Sequence, residues 1–169
     1  MVSVWPLLLQ STKTFTKSLP SDAEITEHDI LRVLHDPPTL TCLSPLVTKS
    51  EVLDPVSKPN LYTVHESPSF LGMRFNIIFT ADYDGINVKV HAGFWTTLDT
   101  RWRVARNVET GLIEVSETVT CQSLSLLHPY VVNTMSKAHT RIFDRLVEKV
   151  KEDVTAKRCD SEVDGGEGK

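Results

Sequence analysis

The chain reads as an α+β domain in which about seven antiparallel strands precede one long C-terminal helix, an order predicted by three observations. From position 46 to position 122, short segments of alternating apolar and polar residues are separated by turn-forming residues. From Pro129 onward the apolar spacing becomes helical, with Val131, Met135, Ala138, Ile142, Leu146 and Val150 on one stripe. Ahead of both, a Thr-rich apolar segment is followed by a short helical pattern that stops at Pro37-Pro38.

Leu7 to Leu19, "LLLQSTKTFTKSL", is the first strand. In "PSDAEITEHDILRVLHDPP", Ser21 or Asp22 is a suitable N-cap, Glu24 and Glu27 are acidic residues for the first turns, and Ile25, Ile30, Leu31 and Leu34 form an apolar stripe. "PTLTCLSP" is a second short helix or a turn. Strands then fall near 46–53, 60–66, 73–81, 86–92, 101–108 and 112–122, with "DPVSKPN", "SPSFLG", "DYDG", "GFWTTLDT" and "ETG" between them. Asp84-Gly85 is a hairpin turn signal, and pairing through it sets Phe79 opposite Val90 and Ile77 opposite Ala92. The closing helix spans "HPYVVNTMSKAHTRIFDRLVEKVKEDV", about seven turns, with Pro129 in its first turn. The polar, acidic end leaves one domain over residues 1–155 and a disordered tail over 156–169.

Composition narrows the function. A formal charge of −4, from 18 basic and 22 acidic residues, argues against a nucleic-acid partner. The three cysteines, Cys42, Cys121 and Cys159, have no zinc-type spacing and suit a reducing compartment. The six histidines show no HExxH or other paired-ligand spacing, and no Walker loop, GxSxG or GxGxxG before a helix occurs, so neither a metal nor another cofactor is expected. No stretch reaches the ~20 apolar residues of a membrane span, and "VWPLLL" has no basic residue before it; a soluble cytoplasmic protein is expected.

"RVARNVETGLIEVSETV" carries charge in lanes otherwise apolar. Trp102, Val104, Arg106 and Val108 share one strand face; Ile113, Val115, Glu117, Val119 and Cys121 share another. With the turn at Thr110-Gly111, Val104 faces Glu117 and Arg106 is its diagonal neighbour, so a charged pair points into whatever the sheet covers. Three explanations stay open: a ligand or catalytic pair, a structural salt bridge in a filled core, and a different register.

This order of elements, from Leu7 to Val154, resembles the helix-grip fold of the START-like superfamily, which includes lipid-transfer START domains, plant pathogenesis-related allergens and bacterial polyketide cyclases. Within it the chain looks most like small uncharacterised START-like proteins of filamentous fungi. The resemblance rests on the order and length of elements. It implies a curved antiparallel sheet wrapped around the long C-terminal helix, with one or two short helices after the first strand and a hydrophobic cavity between sheet and helix. "LDPVSKPN" stands where plant members carry a glycine-rich loop, which puts any gating role of that loop in doubt.

The resemblance makes the inward lanes cavity lining: Phe75, Ile77 and Phe79; Val88 and Val90; Trp102 and Val104; Val115 and Val119; and Met135, Ile142 and Leu146 from the helix. Arg106 and Glu117 then become the oriented polar groups of an apolar pocket. The implied function is binding of a lipid, sterol or polyketide-like metabolite. The alternatives are a cyclase, isomerase or dehydratase of specialised metabolism with Glu117 as acid or base, and a protein-interaction domain with a filled core. Lys89, Arg101 and Arg103 lie on the opposite sheet face, where a weak contact with an anionic membrane or protein is conceivable. Trp95 and Trp102 flank "TTLDT", and Cys121 reads as a small buried hydrophobe.

Overall fold

The structure is a computed structural model that describes residues 7–19, 25–66 and 74–164, with side chains of the last helix described to Lys157. β1 (Leu8–Ser18) leads to α1 (Glu27–Leu34) and α2 (Pro37–Leu43). β2 (Val47–Asp54), β3 (Lys58–Glu66), β4 (Arg74–Asp82), β5 (Gly85–Ala92), β6 (Thr96–Arg106) and β7 (Ile113–Leu124) follow, and α3 (His128–Asp164) closes the chain. The seven strands form one antiparallel sheet in the order β1-β7-β6-β5-β4-β3-β2. β1 and β2 are therefore the two edges, and α1 and α2 carry the chain from one to the other.

α1 begins later than the sequence suggests. Its N-cap is Thr26, with a capping box in which Thr26 Oγ1 accepts from the Asp29 backbone N–H at 3.2 Å and the Asp29 carboxylate accepts from the Thr26 N–H at 3.1 Å. Ser21 and Asp22, the expected caps, lie outside the described residues. Lys157 on α3 also donates to Asp29, at 2.7 Å, and Arg32 pairs with Asp153 at 3.0 Å, so charged groups join α1 to α3. Although burial pushes the Asp29 carboxyl up, hydrogen bonds from Lys157 and Thr26 outweigh it and hold the group at about 2.

Alternation fixed which side of each strand faces inward, but both expected hairpin registers are displaced by two residues. The β4–β5 turn is Tyr83-Asp84, not Asp84-Gly85, so Phe79 pairs with Val88 and Ile77 with Val90. In β6–β7, Trp102 faces Glu117, Val104 faces Val115 and Arg106 faces Ile113. A slip of two leaves every side chain on its own face and changes every partner. Gly85 is required where it stands: a Cβ there would lie 1.9 Å from the Trp102 carbonyl oxygen, while its own carbonyl meets His35 Nε2 at 2.7 Å.

"TTLDT", expected in a loop, is the start of β6; only Gly93, Phe94 and Trp95 make the turn. α3 continues to Asp164, so the boundary expected at 155 falls within a helix, and only residues 165–169 of the expected tail lie outside the described residues. Residues 1–6, including the first half of "VWPLLL", also lie outside them. Among the described residues, no helix is long and apolar enough to cross a membrane.

The core is unevenly filled along α3. Toward its C-terminal end, Phe143, Leu146 and Val150 are buried with Leu19, Ile30, Leu34, Ile86 and Val115 in a continuous apolar cluster. Toward its N-terminal end, Met135 joins only Val119 and Cys121 among fully buried neighbours. The space between these clusters is where the sheet and helix part.

Candidate functional site: a cavity between sheet and helix

The gap is a cavity of two chambers, an inner one of about 110 Å³ and an outer one of about 420 Å³. Ser44, Glu66, Phe75, Val90, Leu98, His139 and Ile142 border both, so the chambers run into each other. The outer chamber alone is of the size that holds a small organic ligand. Alternation builds the sheet wall: Phe75, Ile77 and Phe79 from β4, Val88 and Val90 from β5, and Leu98, Thr100 and Trp102 from β6 face the inner chamber. The helix wall follows helical spacing, with Val131, Met135, Ala138 and Ile142 along the outer chamber. Around that chamber, Phe94, Leu126 and Tyr130 are 59%, 89% and 56% exposed, which marks its open end.

Glu117 stands at the inner end. It is fully buried on β7, between Trp102 on β6 and Phe15 on β1. Its Oε1 lies 2.7 Å from His139 Nδ1, and its Oε2 has no partner. Phe15 stacks on the imidazole with ring centres 5.9 Å apart, and Phe143, one helical turn beyond His139, packs on Trp102 at 4.8 Å. These rings exclude water from the carboxyl group. Desolvation pushes the Glu117 carboxyl up from its ordinary range, against the opposing pull of His139. The result is a buried dyad in which the second carboxyl oxygen has no hydrogen-bond partner.

Glu66 supplies a second carboxyl to both chambers, and its pKa is also raised by desolvation. Among the described residues, no lysine or arginine lines either chamber. Among the described residues, no group of three or more His, Cys, Asp or Glu is placed to hold a metal ion.

The structure gathers Phe75, Ile77, Phe79, Val90, Trp102, Glu117 and Ile142 around the inner chamber, and Met135 reaches the outer one. Val104, Val115 and Leu146 are instead packed in the filled core, and Val119 in the small cluster with Cys121. Arg106 is the main correction. It ends β6 in solvent, with its Nε 3.2 Å from Glu27 and its Nη1 donating to the Gly111 carbonyl at 2.8 Å, so it does not pair with Glu117. The six-residue connection 107–112, closed by the Asn107 N–H to Leu112 carbonyl bond at 2.8 Å, displaces the strand end from the turn assumed at Thr110-Gly111.

The basic outer face is largely compensated: Arg103 pairs with Asp82 at 3.1 Å and Asp84 at 3.4 Å, and Lys89 with Asp99 at 3.4 Å. Trp95 is 68% exposed at the β5–β6 turn, whereas Trp102 is buried beside Glu117. The Cys121 thiol is pushed up by burial, as befits a packed hydrophobe.

His139 and Glu66 were missed as site residues, although both had a signal. His139 is four residues after Met135 and four before Phe143, both apolar stripe positions. Glu66 continues the lane of Tyr62 and Val64.

A seven-stranded antiparallel sheet, two short helices after the first strand and a long C-terminal helix over a cavity define a START-like helix-grip fold. Solved structures share it at low identity. Ara h 8.0201 superposes with a TM-score of 0.56 at 11% identity, over 82% of this chain and 99% of that one. A START superfamily protein from Mycobacterium smegmatis gives 0.61 at 11%, over 85% and 97%. A conserved protein from Geobacillus kaustophilus gives 0.58 at 8%, over 85% and 96%. Residues 10–152 match the family described as domain of unknown function (DUF7053), and the chain belongs to that family. No curated protein matches it.

Proposed function

We propose that the protein binds a hydrophobic small molecule, such as a lipid, sterol or polyketide-like metabolite, in the cavity between its sheet and α3. The observation that carries this reading is the pair of connected chambers with apolar walls and a few polar groups at defined places. The ligand's apolar body lies along Val90, Leu98, Met135 and Ile142, and its polar end reaches Glu117 and His139. The free cysteines Cys42 and Cys121 suit the cytoplasmic setting that goes with a small START-like protein of the filamentous-fungal kind.

The test is binding of Nile red, a neutral apolar dye, to the wild type and to Leu98→Trp, whose larger side chain fills the junction of the chambers. Saturable fluorescence enhancement in the wild type, weakened about tenfold in the variant, is expected from lost cavity volume. Absence of saturable binding to the wild type, or equal binding to both, removes the cavity from the function.

The free Glu117 oxygen favours a second reading, an isomerase, dehydratase or cyclase in which Glu117 moves a proton on an apolar substrate. His139 is then the positioning residue that holds the carboxyl in place and takes up its change in charge. A Glu117→Gln variant that binds a turned-over substrate but fails to convert it is the expected result; unchanged turnover takes Glu117 out of the chemistry.

A further inference from the structure

Resting on the proposed cavity binding, we infer that the ligand is an apolar molecule with a basic nitrogen at the end that reaches Glu117, and that long-chain carboxylates are rejected. The charge inventory of the walls carries the inference. With Arg106 in solvent and paired with Glu27, no lysine or arginine among the described residues borders either chamber, whereas Glu66 and Glu117 both do. Of the segments outside the described part, 1–6, 20–24 and 67–73 contain no lysine or arginine, and 165–169 contain Lys169.

Glu117 gives the inference a particular atom. Its Oε1 is held by His139 at 2.7 Å, while Oε2 is buried and has no hydrogen-bond partner, on a residue that lines the inner chamber. A buried carboxylate oxygen without a donor is costly, and a ligand that supplies one removes that cost. A protonated amine supplies up to three donors together with the charge that two carboxyls lack. An alcohol supplies one donor and no charge. A fatty-acid head brings a third carboxyl group to a wall that already holds two and, among the described residues, offers it no lysine or arginine. The apolar walls do not distinguish these ligands, so selection falls on the head.

The experiment displaces Nile red from the wild type, Glu117→Gln and Glu66→Gln with decylamine, decanol and decanoate near neutral pH. These share one tail and differ only at the head. Decylamine is expected to bind about tenfold more tightly than decanol and more tightly still than decanoate. Either Gln variant should lower the amine's advantage over decanol, since the amide keeps a carbonyl oxygen of similar size but cannot carry the charge that favours an ammonium head. Glu66→Gln keeps the test open if Glu117→Gln fails to fold. Decanol equal to decylamine overturns the basic nitrogen, and decanoate equal to or tighter than decylamine overturns the charge argument altogether. In both cases bound Nile red leaves the cavity reading intact; if the wild type binds neither dye nor any of the three ligands, both readings fall.

Discussion

The two ends of the α3–sheet interface use the same kinds of residue for opposite purposes. Around Leu146 and Val150 the helix is buried in one apolar cluster with Ile30, Leu34 and Ile86, and the void left beside Ile30, Leu146 and Val150 is only about 10 Å³. Around Ile142 and Met135 the same helix faces Val90 and Leu98 across open space. Apolar periodicity is continuous along both. The difference lies in α1, which fills the gap at one end, whereas at the other the described residues leave the two chambers open between sheet and helix. One end supplies stability and the other leaves room for a ligand.

Truncation tests this division most strongly. Leu146→Ala removes a side chain that is almost wholly buried and should cost about 2–5 kcal/mol by denaturant unfolding. Ile142→Ala, which faces both chambers, should cost about 1 kcal/mol, because part of its surface already lacks contacts. Equal costs would mean that the cavity end is as filled as the other.

The buried carboxyls extend the comparison to electrostatics. At the packed end, Asp29 caps α1 and accepts from Lys157, with its carboxyl held at about 2 against an ordinary 3.8. Its depressed value makes it a stabilising group above about pH 4, and that contribution is lost as pH falls toward 2. Asp29→Ala should therefore cost about 1–2 kcal/mol near neutral pH, mainly through the lost cap, and progressively less in acid. At the hollow end the sign reverses. The Glu117 carboxyl is raised, so the folded state holds its proton more tightly than the unfolded one; stability is fully present below the ordinary value of 4.5 and declines as pH rises through the raised value. Glu117→Gln removes that titration, so its stability relative to the wild type should rise as pH increases above the ordinary value of 4.5 in denaturant unfolding. A difference that is flat with pH would show that Glu117 is not desolvated as the fold places it.

The fold was legible because its signals were periodic: alternation marked the strands, and the 3.6-residue stripe marked α3. Register was not, because a lane says which face a residue occupies and nothing about how many residues the turn consumes. Phe79 and Ile77 kept their face and changed partner. Arg106 was misassigned for the same reason at a strand end, where the displaced register and the long 107–112 connection put it in solvent. The lane Thr96-Leu98-Thr100 was overlooked because threonine and aspartate between tryptophans resemble a loop, although threonine is at home on a strand. Of the dyad, Glu117 was visible as a charge in an apolar lane. Its partner His139 was hidden because pairing β7 with α3 is a tertiary fact, and the nearer arginine in sequence offered a simpler partner.

The smallest expected effect concerns the rim of the hollow end. Phe94 and Trp95 occupy consecutive left-handed conformations, with φ of 57° and 53°. Each places its Cβ against its own backbone at a cost of roughly 1–2 kcal/mol, which glycine does not incur. Phe94 is mostly exposed, so the packing it returns is small, yet it borders the outer chamber. Phe94→Gly should accordingly raise unfolding stability by up to about 1 kcal/mol, the relief being partly offset by the greater freedom of glycine in the unfolded chain. The same variant should weaken Nile red binding, because a side chain is lost from the chamber wall. Higher stability with weaker binding would show that the hollow end keeps a strained turn for its ligand; lower stability would show that Phe94 is held by packing and that the rim belongs with the solid end.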